Sequence, residues 1–381
     1  MKIHPKIILL QLLFSVTIFS AKADVADTNI TQSLIRPDTV RATRNITITG
    51  VGDVMLGSSF PSKSFLPPHD NPFLLLQSVA DSLKDSDITF ANLEGSFLDA
   101  GEPAKKCRDT SLCYLFRMPE RYVSTLTMAG FDVVSLANNH FGDFGQPSRS
   151  RTKTLLDSAG IHYAGLIEHP WSIFRKDSVL YGFCAFAPNA GTVNINDLEG
   201  AARIVRMLND TCDIVIVSFH GGAEGKDFQN VPRKMEVFHG EERGDVYKFA
   251  HTMIDNGADV VFGQGPHVTR AIEVYRDRFI SYSLGNFCTY GRFNLAGPNS
   301  LAPIVRLNVD ASGKFISGRI IPALQPWPGG VKYDENRLAI MKIKELTAKD
   351  FPESVIEISD SGKIRYKSLE NITENPVTPK H

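Results

Sequence analysis

Several easy readings of this chain fail for want of residues. Its 381 residues include five cysteines, none of them in a Cys-x-x-Cys pair, so a thiolate zinc site of the usual spacing is excluded. No Gly-x-x-x-x-Gly-Lys-[Ser/Thr] or Gly-x-Gly-x-x-Gly follows any strand-like run. A P-loop and a dinucleotide fingerprint are therefore both missing, and ATP-dependent ligation loses its support. Neither sign of charge prevails: 41 Lys and Arg against 42 Asp and Glu leave a net charge of −1. That argues against a nucleic-acid surface and against a strongly basic membrane face. There is no internal repeat and no low-complexity tract, and beyond the N-terminus no apolar run is long enough to span a bilayer.

What is present begins with an unusual N-terminus. MKIHPK is short and basic, IILLQLLFSVTIF is apolar, and Ala21-Lys22-Ala23 fits a small-x-small cleavage site. This pattern predicts a signal peptide over 1–23, a mature chain starting near Asp24, and export to the periplasm or medium. An uncleaved N-terminal anchor is the alternative. A polar linker over 24–44 follows. In an oxidising compartment Cys107 and Cys113, which bracket RDTSL, are spaced for a local disulfide. Cys184, Cys212 and Cys288 lie in or beside apolar runs and read as buried thiols.

From Asn45 one grammar recurs. An apolar, β-branched run ends in a small polar cluster, and a helical stretch often follows. NITITGV runs into GDVMLG, SDITF into ANLEGS, FDVVSL into ANNHFGD, DIVIVSF into HGGAEG, ADVVFG into QGPHV, and FISYSL into GNF. Amphipathic stretches at 120–130, 150–160 and 244–258 lie between these runs, the last with Val246, Phe249, Met253 and Ile254 at helical spacing. Alternating strands and helices predict an α/β domain over 45–325 with largely buried sheets. Residues 301–324 read as a hairpin turning at 310–313, and 326–381 as an appendage packed on the domain.

Open α/β sheets bind ligands beyond the carboxyl ends of their strands, and the polar residues gather there. Asp53 follows the first run, Asn92 and Glu94 the second, Asn139 and His140 the third, His220 and Glu224 the fourth, His267 the fifth. Carboxylate, imidazole and amide oxygen together are the ligands of Mn, Fe, Zn or Mg sites. The reading assigns the Asn139 amide oxygen to metal and turns His140 toward substrate, with one or two divalent cations expected. Asn138 reads as structural, holding its turn. Asp143 and Arg292 read as ordinary, whereas Asn286 is a further pocket candidate.

In this order the motifs GDVMLG, ANLEGS, SLANNH, SFHGGAE, GADVVFGQGPHV and ISYSLGNF resemble those of the bacterial CapA family, associated with capsule and poly-γ-glutamate synthesis. The resemblance spans residues 45–325. It implies a four-layer αββα metallophosphoesterase-like (calcineurin-like) sandwich with mixed sheets. It also implies metal ligands at Asp53, Glu94, Asn139, His220 and His267, and an acid or transition-state stabiliser at His140. Two departures stand out. Met55 occupies a place where metallophosphoesterases usually have histidine, and Gln264 stands where many relatives carry another. The resemblance leaves two functions open. One is an exported metal-dependent hydrolase acting on a phosphoester or on an envelope polymer such as poly-γ-glutamate. The other is a non-catalytic polymer-binding subunit of a membrane synthesis or export complex.

Overall fold

A computed structural model describes residues 45–106 and 114–368. The expected signal peptide, the linker and the Cys107–Cys113 pair lie outside the described residues. Among those described, no helix is long and apolar enough to cross a membrane.

Two mixed sheets face each other. The first is built on β1 (Ile46–Met55), β2 (Ile88–Leu93), β3 (Val133–Ser135) and β4 (His162–Ala164), all parallel. The second contains β5 (Trp171–Lys176), β6 (Val179–Phe186), β7 (Ile214–His220), β8 (Val260–Gln264), β9 (Ile272–Tyr275) and β10 (Arg278–Ser281), in the order β9-β10-β8-β7-β6-β5. The chain then returns to the first sheet. There β11 (Asn286–Thr289) lies parallel to the end of β1 on the side away from β2, and β12 (Ile304–Val309) runs antiparallel to the start of β1 on that same side, followed by the antiparallel β13 (Phe315–Ile321). The hairpin turn falls at 310–313, where the Gly313 N–H donates to the Asp310 carbonyl at 2.9 Å.

Every residue of β2, β6, β7 and β8 is buried. Strands buried along their whole length in this way need cover on both faces. Between the sheets Ile48, Ile88, Phe90 and Val133 meet Phe183, Ile216, Val260 and Phe262. Phe90 stacks on Phe262 at 5.2 Å and tilts against Phe183 at 5.7 Å. Such pairs add about 0.5–1.5 kcal/mol beyond the area they bury. The outer face of the first sheet packs on α1 (Ala80–Lys84), α2 (Val123–Ala129) and α3 (Gly145–Ala159) through Leu83, Leu126 and Leu156. The outer face of the second packs on α4 (Leu198–Thr211) and α5 (Val246–Asp255), which bury Val205, Leu208, Phe249 and Met253. Asp245 caps α5 by accepting from the Lys248 N–H at 3.0 Å. The expected four-layer αββα sandwich with mixed sheets is thus the fold that forms.

Residues 326–368 take part in that fold. They supply α6 (Leu338–Asp350), β14 (Ile356–Ile358) and β15 (Lys363–Tyr366), and β15 pairs with β13 to extend the first sheet.

One buried acid stands at the amino end of the second sheet, away from the polar strand ends. Asp259 precedes β8, accepts from the Val215 N–H at 2.8 Å and lies 3.0 Å from the Arg278 guanidinium. Burial pushes its carboxyl up from 3.8 to about 7, against the pull of the Val215 N–H and Arg278. The folded chain therefore binds more protons than the unfolded one between about pH 4 and 7. Its contribution to stability is fully present below that window and is lost as pH rises through it. Thermal unfolding of Asp259→Asn is expected to lose this part of the pH dependence; a midpoint that keeps the wild-type slope across pH 4–7 refutes the assignment.

Candidate metal centre

The register of the sheets sets the site. In the first sheet Asp53 of β1 lies between Asn92 of β2 and Asn286 of β11, beside irregularities in both pairings. Asp53 thus sits within the strand, where the sequence placed it just after the run. In the second sheet His220 of β7 pairs with Gln264 of β8, and both are the last residues of their strands. Within each sheet, backbone stands close where side chains would otherwise intrude. A Cβ at Gly52 would lie 1.9 Å from the Gly285 carbonyl, which accepts from the Asp53 N–H at 2.9 Å. A Cβ at Gly265, where φ is +114°, would lie 2.6 Å from the Gly221 carbonyl. Gln264 stitches the sheets together by donating from Nε2 to the Val51 carbonyl at 3.1 Å.

Two carboxylates form the centre. Asp53 and Glu94 are both 0% exposed. One Asn92 amide group donates to both, to Asp53 Oδ1 at 2.8 Å and to Glu94 Oε2 at 2.5 Å. The Asn138 amide in turn donates to Asn92 Oδ1 at 3.2 Å and to the Leu93 carbonyl at 2.8 Å. Its own oxygen accepts from the N–H groups of His140 and Phe141, the structural part expected of it. Burial raises the Asp53 carboxyl, and the nearby Glu94 charge adds to the rise, while His267 opposes it. Burial also acts to raise Glu94, but His220 overrides it, with His140 and His267 helping, and holds Glu94 well below the carboxylate range.

The imidazoles complete the ring. His267 sits at φ +56°, an uncommon backbone for a non-glycine residue. Its carbonyl accepts from Asn286 at 3.2 Å and from Asn299 at 3.0 Å, which holds the turn in place. Its Nδ1 donates to Asp53 Oδ2 at 2.8 Å. Burial works against the charged ring, yet the Asp53 carboxylate outweighs it and His267 is pushed up to about 9. His220 is 0% exposed, and neither of its ring nitrogens makes a hydrogen bond, although Nε2 lies 3.4 Å from Glu94 Oε2. Single donor atoms of Glu94, His220 and His267 all fall within 4.8 Å of one another.

Other buried acceptors are unpartnered as well: Glu94 Oε1, Asn139 Oδ1, Gln264 Oε1 and Asn286 Oδ1. An orphaned buried polar group costs about 1–3 kcal/mol, so each of these calls for an explanation. A divalent cation supplies one, since carboxylate, imidazole and amide oxygen are its natural donors. The residues present fit such a group. Met55 does not contribute: it is buried in the core and its sulfur lies 3.3 Å from the Gly57 N–H.

His140 stands beside this donor set. It is 7% exposed, and its Nδ1 donates to Asp143 Oδ2 at 2.8 Å, which leaves Nε2 as the free ring nitrogen. Asp143, read as ordinary in the sequence, is fully buried. The same oxygen accepts from the Phe116 N–H at 2.9 Å, and Lys105 lies 3.5 Å from the other. The His-x-x-Asp spacing was the available signal. Phe116 packs on His140 at 4.2 Å and on Phe293 at 4.9 Å, and Phe293 meets His267 at 5.5 Å. This aromatic wall links the two histidines and carries no pattern in the sequence. Arg292, beside it, lies over the rings of Phe65 and Tyr114. Glu224 sits at the rim, 2.8 Å from Arg243. Burial acts to raise its carboxyl, but His267 and Arg243 bring it below the usual value.

Residues 47–290 match the family described as bacterial capsule synthesis protein PGA_cap. Among curated proteins, the capsule biosynthesis protein CapA of Bacillus anthracis is 26% identical over 272 residues, covering 66% of this chain and 62% of that protein. A probable polyglutamine synthesis accessory protein of Mycobacterium tuberculosis is 29% identical over 268 residues, covering 62% and 66%. The chain thus spans less than two thirds of the length of each. Among solved structures, a hypothetical protein of Thermus thermophilus is 16% identical with a TM-score of 0.45, covering 74% of this chain and all of that one. A 5'-nucleotidase precursor from the same organism is 11% identical with a TM-score of 0.41, covering 81% and 59%.

Two outcomes test the centre. Protein purified without chelator is expected to carry about one or two equivalents of Mn, Fe or Zn by elemental mass spectrometry, and His220→Ala to lose most of it while staying folded. Metal retained at the wild-type level in that variant removes His220 from the donor set. Asp143→Asn is expected to keep its metal but to change the tautomer of His140, read from the ring ¹⁵N shifts. Unchanged shifts leave Asp143 a structural role only.

Proposed function

The chain belongs to the bacterial capsule synthesis protein family, and on that premise we propose that it is an exported, metal-dependent hydrolase acting on an envelope polymer or its precursor. The observation that carries this reading is His220. A fully buried imidazole with neither nitrogen hydrogen-bonded, beside two buried carboxylates, is hard to account for by packing alone. Export rests on the N-terminal pattern, and the polymer on the family, whose members include proteins named for capsule, PGA and polyglutamine synthesis.

Asp53, Glu94, Asn139, His220 and His267 would hold the cation, with the Gln264 amide oxygen within the same set. A divalent cation held there would supply polarisation of a substrate oxygen and activation of water. The rest falls to the side chains. Asn92 fixes the spacing of the two carboxylates by donating to both. Asp143 orients His140 and fixes its Nδ1 proton, so that Nε2 can deliver a proton to the departing oxygen or nitrogen. Phe116 and Phe293 exclude bulk water from the space between His140 and His267. A dry wall there strengthens each charge interaction it borders.

One observation favours a second reading. Gln264 offers a neutral amide oxygen where a histidine would bind more strongly, and it is tied to the Val51 carbonyl. A looser centre of this kind suits a polymer-binding subunit that does no chemistry. The two separate on turnover. The hydrolase is expected to cleave either γ-glutamyl or phosphoester substrates, to stop on chelation and to recover with Mn, Fe or Zn. His140→Ala is expected to lower kcat by about 10²–10⁴ with metal content unchanged. Binding of polymer by the metal-stripped protein, with no cleavage by the loaded one, overturns the hydrolase in favour of the subunit.

A further inference from the structure

Beside the candidate centre lies a cavity of about 600 Å³ bordered by Asn139, Lys105, Arg149, Arg243 and Glu241. Three cationic side chains and one anionic one face it. Two of the cations have nearby carboxylates: Lys105 lies 3.5 Å from Asp143, and Arg243 lies 2.8 Å from Glu224. Arg149 has none among the described residues. Its Nη2 makes a long hydrogen bond of 3.4 Å to the Ala190 carbonyl, and its Nε is buried without a partner.

The backbone is shaped around that guanidinium. A Cβ at Gly142 would lie 2.6 Å from Arg149 Nη2, and a Cβ at Gly191 would lie 2.6 Å from Nη1. Two glycines thus make the slot through which the head group reaches the cavity. The first turn of α3 also opens here through Gly145 and Gln146, and Phe144 offers no side-chain cap.

We propose that this cavity is an oxyanion subsite, in which Arg149 receives a carboxylate or phosphate group of the chain whose adjoining bond lies at the strand ends. Arg149 is the specificity-determining residue, because a planar guanidinium takes a carboxylate or phosphate through two parallel hydrogen bonds. Lys105 and Arg243 supply further charge while remaining tied to the centre through Asp143 and Glu224. Asn139 borders the cavity and belongs to the proposed donor set, so ligand in the cavity is adjacent to the reacting position. The choice of a polymer as the ligand rests on the function proposed above; the oxyanion chemistry does not.

The test measures binding of an oligo-γ-glutamate and, separately, of inorganic phosphate to the full chain by calorimetry, with the unfolding midpoint as control. Arg149→Gln is expected to weaken oligo-γ-glutamate binding by about tenfold or more, and Arg149→Lys to restore part of it. Gly142→Ala keeps the charge but displaces the guanidinium, and is expected to show a similar loss. His220→Ala is expected to lose metal yet keep Arg149-dependent binding, which separates this subsite from the centre. If inorganic phosphate alone depends on Arg149, the subsite stands with a phosphate-bearing ligand and the γ-glutamyl reading falls. If neither ligand responds to Arg149→Gln or to Gly142→Ala, the subsite is overturned.

Discussion

The structure turns on one shared donor. The Asn92 amide reaches both Asp53 and Glu94, and it does so where neither carboxylate is open to water. Two desolvated negative charges at such spacing repel each other strongly at low dielectric. One neutral amide cannot balance them. What it does is fix their separation, and the Asn138 amide fixes Asn92 in turn. The histidines then answer the charge from the second sheet, His267 through a hydrogen bond to Asp53 and His220 by standing 3.4 Å from Glu94. Each sheet carries half of the arrangement, so the centre exists only because the sheets pack face to face.

Close backbone approach within the first sheet accounts for Gly52, and side-chain donors account for the strained turn. Gly52 admits the Gly285 carbonyl at a distance no Cβ permits, and this places the end of β11 against the Asp53 backbone. His267 adopts a backbone that costs a non-glycine residue about 1–3 kcal/mol. Asn286 and Asn299 hold it there by donating to one carbonyl. The strain is local, and the surrounding hydrogen bonds determine it from two sides. An unstrained turn would carry the imidazole away from Asp53.

Much of this was legible in the sequence, for a physical reason. Parallel strands buried on both faces read as apolar runs, and their ends are the only places where polar residues have a task. The placing of Asn92, Glu94, Asn139, His220 and His267 at or just beyond run ends followed from that, as did the layered α/β architecture. Asp53 shifted slightly, because β1 continues past it through an irregular pairing. What stayed hidden depends on contacts between distant segments. Asp143 looks like any loop acid until Phe116, 27 residues earlier, brings its N–H to the same oxygen. Phe293 is one of 24 phenylalanines, and nothing local marks it as the wall beside His267. Residues 326–381 read as an appendage packed on the domain, without the strands β14 and β15. Their pairing with β13 is a long-range event that no local period announces.

Two carboxylates at the edge of the centre share a geometry. Asp143 joins the histidine beside the centre to Lys105, and Glu224 lies between the centre and Arg243. Each carboxylate therefore faces a donor of the site on one side and a cation of the neighbouring cavity on the other. Such an arrangement sets a carboxylate between each of these cations and the candidate donors, with Arg149 further along the same cavity. At the proposed subsite an anionic chain approaching from solvent would meet attraction first and the acidic centre last. The reverse order would repel it. With a net charge of −1 over the whole chain, such a local separation of charge would give an acidic ligand of the proposed subsite a preferred direction of entry.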